Sequence, residues 1–399
     1  MKKILYLIIL LIPFGVTALN YPELHYEKAI IYDITDDEIL FSKKSDEKSS
    51  IASLTKIMTT ITAIENINDF NKYVTYTEEM SSQVRWDASV AGLKVGNQVT
   101  YNDLLYASIL PSGADATTAL AISTSGNINN FVKKMNDTAA KIGMTNSHFV
   151  NVTGLDAEEH YSTAEDILKL LKYSLQNEKF KSIYTTKSYT LSNGLFVRST
   201  IYAYKGNTKK ILGSKTGFTL DAGRCISAYF TSSDHEMLLI TLGASPDYKT
   251  IHITDALELI NFIDDNYHYQ NIIEENQVIK TIPVKNSKID SYEIVEHKSI
   301  SKYLPDDYDK NLIRIEYNGL EELSFTNKEN SKIGEASYYY NDILLEKKDI
   351  YLEQELKLDI IKLLLFYKYI VLIVIAIILF ILISIIRRKK KLTKNKKRK

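Results

Sequence analysis

Residues Tyr369–Ile386 run for eighteen positions without a charge, mostly Ile, Leu and Val, and end directly in Arg387-Arg388-Lys389-Lys390-Lys391. A helix of that length just crosses the hydrocarbon core of a bilayer. A helix buried in a globular core would not explain the ten Lys and Arg of residues 387–399. A membrane anchor does, because basic flanks stay on the cytoplasmic side. The chain is therefore expected to cross the cell membrane once, with its body outside and its C-terminus in the cytoplasm. The other end agrees: Lys2 and Lys3 precede the apolar run Ile4–Ile12 and the small residues Val16 and Ala18. That is the pattern of an export signal over residues 1–20.

Between these ends, 37 basic face 49 acidic side chains, so a formal net charge of zero hides an acidic body. Phosphate neutralisation needs clustered Lys and Arg, so nucleic acid is excluded as a partner. The single cysteine, Cys225, excludes an internal disulfide and a cysteine zinc site, and reads as a small buried hydrophobe. Seven histidines show no HExxH spacing. No metal or other cofactor is expected, and there is no G-x-S-x-G elbow, P-loop or dinucleotide fingerprint.

Residues 28–42 read as a hairpin around an acidic turn. Apolar spacing predicts helices over 53–66, 102–110, 114–124, 128–141, 162–176 and 249–263, the fifth opening on the capping-box pattern Ser162-Thr163-Ala164-Glu165. Strand-like runs occupy 186–192, 196–204, 225–231 and 237–243. Strands thus begin and end this region with helices between, which predicts an α+β domain over 21–267. Its antiparallel sheet would join strands remote in sequence. Short alternating segments at 278–284, 291–298, 312–317 and 346–352 predict a small all-β domain over 268–352. An amphipathic linker, 353–368, leads to the span 369–386 and the basic tail 387–399.

Three short motifs stand in order along the first domain. Ser53-Leu54-Thr55-Lys56 heads an amphipathic helix, so the amine lies on the same face as the hydroxyl. A serine attacks only when a neighbouring base takes its proton, and lysine is such a base only with a lowered pKa. The comparable Ser45–Lys48 and Ser299–Lys302 spacings open no apolar helix. Pro111-Ser112-Gly113-Ala114-Asp115 lies between two helices, where Ser112 is either a proton relay or an N-cap. Lys215-Thr216-Gly217 offers a second cation, a hydroxyl for a carboxylate, and a glycine that lets a substrate approach an edge strand.

Taken together these motifs resemble the penicillin-binding, low-molecular-weight D-alanyl-D-alanine carboxypeptidases, relatives of the class A β-lactamases. The likeness covers roughly residues 25–265 and includes IASLTKIMT (51–59), LLYASILPSGADA (104–116), GMTNSHFVNVTGLD (143–156), HYSTAEDI (160–167) and GSKTGFTLDAGRC (213–225). The resemblance implies a transpeptidase-like fold and hydrolysis of the terminal D-alanine from peptidoglycan stem peptides, with β-lactams as inhibitors. It assigns Ser53 as the acylated nucleophile, Lys56 as its base and Ser112 as the relay to the leaving amine, assisted by Lys215. Lys215 and Thr216 would take the substrate carboxylate, with Arg198 a further candidate. Gly217 and Phe218 would lie beside the substrate, and the N–H groups of Ser53 and Phe218 would form the oxyanion hole.

One position departs from the family. Ala114 replaces the usual asparagine of the middle motif, whose amide bonds the substrate carbonyl and positions the lysine. Losing such a contact costs on the order of 2–4 kcal/mol in the transition state unless Asp115 or a water replaces it. Two alternatives follow. One is a β-lactamase-type hydrolase, for which Glu158, Glu159 and Glu165 are the nearby carboxylates. The other is a weakly active or non-catalytic peptidoglycan-binding protein.

Overall fold

A computed structural model describes residues 21–396; the export signal expected over 1–20 lies outside the described residues. Two compact units divide the chain, the first ending at Asn266 and the second beginning at Tyr267.

In the first unit Lys28–Asp33 (β1) and Glu38–Lys43 (β2) form the hairpin read from the sequence. Asp33 makes its turn: one carboxylate oxygen accepts the N–H groups of Thr35 and Asp36 at 2.8 and 3.2 Å. A 3-10 turn, Ala52–Leu54, runs into Thr55–Asn66 (α1), which is buried on every side from Thr55 to Ile64. The threonines of so buried a helix need partners. Thr59 donates to Val152 O at 2.9 Å, Thr60 shares a 2.8 Å bond with Ser108, and Thr55 one of 2.8 Å with His160.

Short strands Tyr73–Thr75 (β3) and Gln98–Thr100 (β4) flank the small helix Glu78–Ser82 (α2). Helices Tyr101–Ile109 (α3), Ala114–Ser125 (α4), Ile128–Lys141 (α5) and Ala164–Leu175 (α6) follow, then Glu178–Thr185 (α7). The cap of α6 falls one residue later than its capping-box pattern suggested. The backbone of Ser162 pairs with Ser49, so Thr163 becomes the N-cap and accepts the N–H of Asp166 at 3.1 Å. Likewise the run 196–204 is not one strand. Ser188–Thr190 (β5) and Phe196–Arg198 (β6) form a small hairpin, and Ser199 then caps a 3-10 turn over Thr200–Ala203.

Ile211–Thr219 (β7), Gly223–Ser232 (β8) and His235–Ala244 (β9) complete the sheet before Ile251–Asn266 (α8). Its order is β2-β1-β9-β8-β7, antiparallel throughout, with Lys28 opposite Leu242. Leu238, Ile240 and Leu242 of β9 face the main helical core, while Met237 and Leu239 are buried on the other face of the strand. Burial on both faces explains why β9 reads as continuous apolar sequence and not as an alternation. The strand β7, which carries Lys215-Thr216-Gly217, lies at the sheet edge.

The second unit contains Tyr267–Ile273 (β10), Val278–Lys285 (β11), Ser291–Val295 (β12), Ile300–Pro305 (β13), Ile313–Gly319 (β14), Leu323–Ser324 (β15), Lys332–Tyr340 (β16) and Ile343–Tyr351 (β17). They pair as β10-β13, β12-β11-β15 and β14-β16-β17 around a core that includes Ile273, Ile282, Leu323 and Tyr338. The helices Ile360–Phe366 (α9) and Lys368–Lys396 (α10) follow. Within Lys368–Lys390 an eighteen-residue stretch has a mean hydropathy of 3.5 and is not buried, so this helix is long and apolar enough to cross a membrane.

Two glycines let the first unit close around the turn that precedes α1. Ala52 holds φ at 46°, a left-handed conformation uncommon for a residue with a Cβ. A Cβ on Gly154 would fall 1.9 Å from Ala52 O, and one on Gly217 would fall 2.9 Å from Ser53 N. Gly154 also has φ at 81°, so both space and backbone exclude a side chain there. Gly154→Ala is expected to lower stability by about 2–4 kcal/mol, read as a reduced urea midpoint. A wild-type midpoint would contradict this packing.

Candidate active site

Ser53 sits in the 3-10 turn and Lys56 on the first turn of α1. This brings the Lys56 Nζ to 2.9 Å from Ser53 Oγ. The amine also donates to Thr153 O at 2.6 Å. That carbonyl is aimed by Asn151, whose side-chain oxygen accepts the N–H groups of Thr153 and Gly154 at 3.1 and 2.7 Å. Lys56 is 2% exposed, and burial is the main cause that holds its amine down to about 7, opposed by the more distant Asp115 carboxylate. An amine so placed can be neutral near pH 7, with a lone pair available to the serine hydroxyl.

Ser112 lies between α3 and α4 with φ at 64°, and its buried Oγ has no partner among the described residues. It is not the cap of α4, since that position belongs to Gly113. Ala114 is fully buried, donates its N–H to Ser89 O at 2.7 Å, and does not line the cleft. Asp115 does not take the place of the missing amide. Its carboxylate accepts the N–H groups of Ala91, Gly92 and Leu93 at 2.8, 2.8 and 2.9 Å, which ties the 91–93 loop to α4.

Ser53, Ser112, Arg198, Thr216, Gly217 and Phe218 line one cleft of about 480 Å³. Thr216 donates to Thr200 Oγ1 at 2.6 Å, which joins β7 to the turn after β6. Lys215 is fully buried beneath this wall, donating to Thr216 O at 2.5 Å. Burial first, and repulsion from Lys56 second, push its amine well below the ordinary lysine range. Lys215 therefore senses the charge of Lys56, a lysine named from a distant motif.

Other candidates fall away. Burial raises Cys225 to about 12, which makes it inert. His160 accepts the N–H of Val150 on Nδ1 at 3.1 Å, so its Nε2–H faces Thr55; burial keeps this ring neutral, at about 4. Glu165 accepts from Ser45 at 2.8 Å, and none of Glu158, Glu159 or Glu165 lines the cleft. The sequence reading passed over Ser89, Arg224, Lys249 and His252, which do line it. It also passed over the backbone role of Thr153, for which Asn151-Val152-Thr153-Gly154 was the available turn signal.

Comparison with known proteins matches this arrangement to a family. Residues 15–246 match the family model described as D-alanyl-D-alanine carboxypeptidase. The chain is 28% identical over 349 residues to the D-alanyl-D-alanine carboxypeptidase DacF of Bacillus subtilis, covering 83% of this chain and 86% of that one. It is 34% identical over 241 residues to the D-alanyl-D-alanine carboxypeptidase of Streptomyces sp. strain K15, covering 56% of this chain and 81% of the relative. In fold it resembles penicillin binding protein 5 of Haemophilus influenzae, with a TM-score of 0.62 at 23% identity over 85% of this chain and all of that one. With more than half its length matched and a serine held against a buried amine, the chain belongs to the D-alanyl-D-alanine carboxypeptidase family of serine hydrolases.

Proposed function

We propose that this chain removes the terminal D-alanine from peptidoglycan stem peptides through an ester on Ser53. The observation that carries this reading is the 2.9 Å contact between Ser53 Oγ and a Lys56 amine held at about 7. Neutral Lys56 takes the hydroxyl proton as Ser53 Oγ attacks the carbonyl of the penultimate D-alanine. The N–H groups of Ser53 and Phe218 receive the developing oxyanion. The C–N bond then breaks, and the proton passes from Lys56 by way of Ser112 to the departing amine. Water cleaves the ester and restores the serine. Thr216 and Arg198, both on the cleft wall, hold the terminal carboxylate, with the Lys215 amine behind them. A β-lactam forms the same ester, but its leaving amine stays tethered.

The absence of an amide at Ala114 lowers the rate without removing any of these steps, because each step uses a group that the chain retains: Ser53, Lys56, Ser112 and Thr216. The cleft also lacks a glutamate to hold a deacylating water among the described residues, which favours a carboxypeptidase over a β-lactamase.

The apolar helix over Lys368–Lys390 and the basic tail support a single anchor with the catalytic unit outside the cell. Protease added to intact cells is expected to digest the catalytic unit and spare a C-terminal epitope tag. Protection of both would place the catalytic unit inside.

Ser53→Ala is expected to abolish both labelling by a fluorescent penicillin and D-alanine release, while leaving the melting temperature within a few degrees. Retained labelling would assign another nucleophile. The acylation rate of the wild type should follow deprotonation of Lys56. It should fall about tenfold per pH unit below 7 and level off above it, as a base with a pKa of about 7 requires. A rate that still climbs tenfold per unit from pH 8 to 9 would show a lysine of ordinary basicity.

A further inference from the structure

The cleft holds more positive charge than one terminal carboxylate uses. Arg198, Arg224 and Lys249 line it against a single acid, Asp87. Both oxygens of Asp87 are already taken by Arg85, at 3.1 and 2.6 Å. No acid among the described residues pairs with Arg198, Arg224 or Lys249. With Thr216 and Arg198 assigned to the terminal carboxylate, Arg224 and its neighbours stay uncompensated.

Arg224 is held in place from two sides. Its guanidinium stacks 4.5 Å from the centre of the Phe218 ring, and one Nη donates to Pro246 O at 3.3 Å. Its Nε–H is nevertheless buried without a partner. From α8, His252 brings a second orphan to the same cleft: its side chain is 5% exposed and its Nδ1 has no partner. Burial, then the charges of Arg224 and Lys215, keep that imidazole neutral, at about 3, so it offers one N–H and one lone pair. Buried polar atoms without partners are rare in native proteins. The two residues that carry them, Arg224 and His252, come from separate elements and line one cleft. Phe218, 44% exposed, adds an apolar surface suited to methylene groups.

We propose that Arg224 and His252 form a second anion subsite, which takes a side-chain carboxylate on the leaving D-residue. The reading rests on the carboxypeptidase assignment above and extends its substrate class to stem peptides ending in a dicarboxylic D-residue such as D-glutamate. The α-carboxylate keeps its place at Thr216 and Arg198. The two methylenes lie along Phe218, and the second carboxylate pairs with the Arg224 guanidinium. A terminal D-alanine presents only a methyl to this corner. The chemistry is unchanged: the same C–N bond breaks, and the leaving amine receives the same proton.

Full-length protein in detergent micelles would be assayed on three peptides that differ only in the terminal residue: D-Ala, D-Glu or the neutral isostere D-Gln. The expected kcat/KM for D-Glu exceeds that for D-Gln by at least about tenfold, the weight of one charge-assisted hydrogen bond. Arg224→Gln should bring that ratio close to one, and Arg224→Lys should retain part of it. Release of D-Ala with no D-Glu preference, or a preference unchanged in Arg224→Gln, overturns the subsite and leaves the carboxypeptidase reading standing. Failure of unlabelled protein, from a preparation shown to be competent for penicillin labelling, to cleave any of the three peptides overturns both.

Discussion

Burial of the Lys56 amine against Ser53 is the constraint on which the site depends. Lowering an amine from 10.5 to about 7 corresponds to roughly 5 kcal/mol of lost preference for the charged form, at about 1.4 kcal/mol per pKa unit. Such a burden is tolerable only where the surrounding fold is tightly determined. The geometry supplies that determination from three remote segments. The edge strand β7 presses Gly217 onto the turn before α1, the 151–154 loop brings Gly154 against Ala52 and aims Thr153 O at the amine, and α1 is enclosed on all sides. The same enclosure lowers Lys215, so both amines lose preference for the charged form in one place while the sheet remains an ordinary antiparallel one.

Much of this was legible in the chain. The helix after Ser53, the apolar strands 225–231 and 237–243, and the hairpin at 28–42 form where their patterns indicate, although α1 is buried on every side and not on one face as an amphipathic run suggests. The pairing of β1 with β9 was expected in kind, from strands at both ends of a helical block. Less visible were features set by tertiary contact. Tyr189 and Val197 keep β5 and β6 paired, but the chain turns at Ser199 because that side chain caps the next turn, which no alternation pattern reports. Ser162 stays extended because Ser49 pairs with it, and the helix cap moves to Thr163 as a result.

Within the site, sequence reasoning named Ser53, Ser112 and Thr216, which the fold brings to one cleft, and Lys56 in contact with Ser53, but missed the groups that hold them. Asp115 looked like a substitute for the absent amide, yet three backbone N–H groups occupy its carboxylate. Arg224 and His252 carry no motif. They become conspicuous only when β8 and α8 place them in the same cleft with unpaired polar atoms. In the second unit Tyr338 is likewise unmarked by any motif, yet it is buried in the core and donates to Glu296 at 2.5 Å.

The protonation state of Lys56 is the quantity from which the nucleophile, the pH dependence and the role of burial all follow. It can be read directly by carbon NMR of the lysine ε-carbons in uniformly labelled protein, assigned by difference against Lys56→Met. A titration midpoint for Lys56 near 7 is the outcome this account predicts. A midpoint near 10.5, the ordinary lysine value, would mean that the amine is charged throughout the physiological range and that another group deprotonates Ser53.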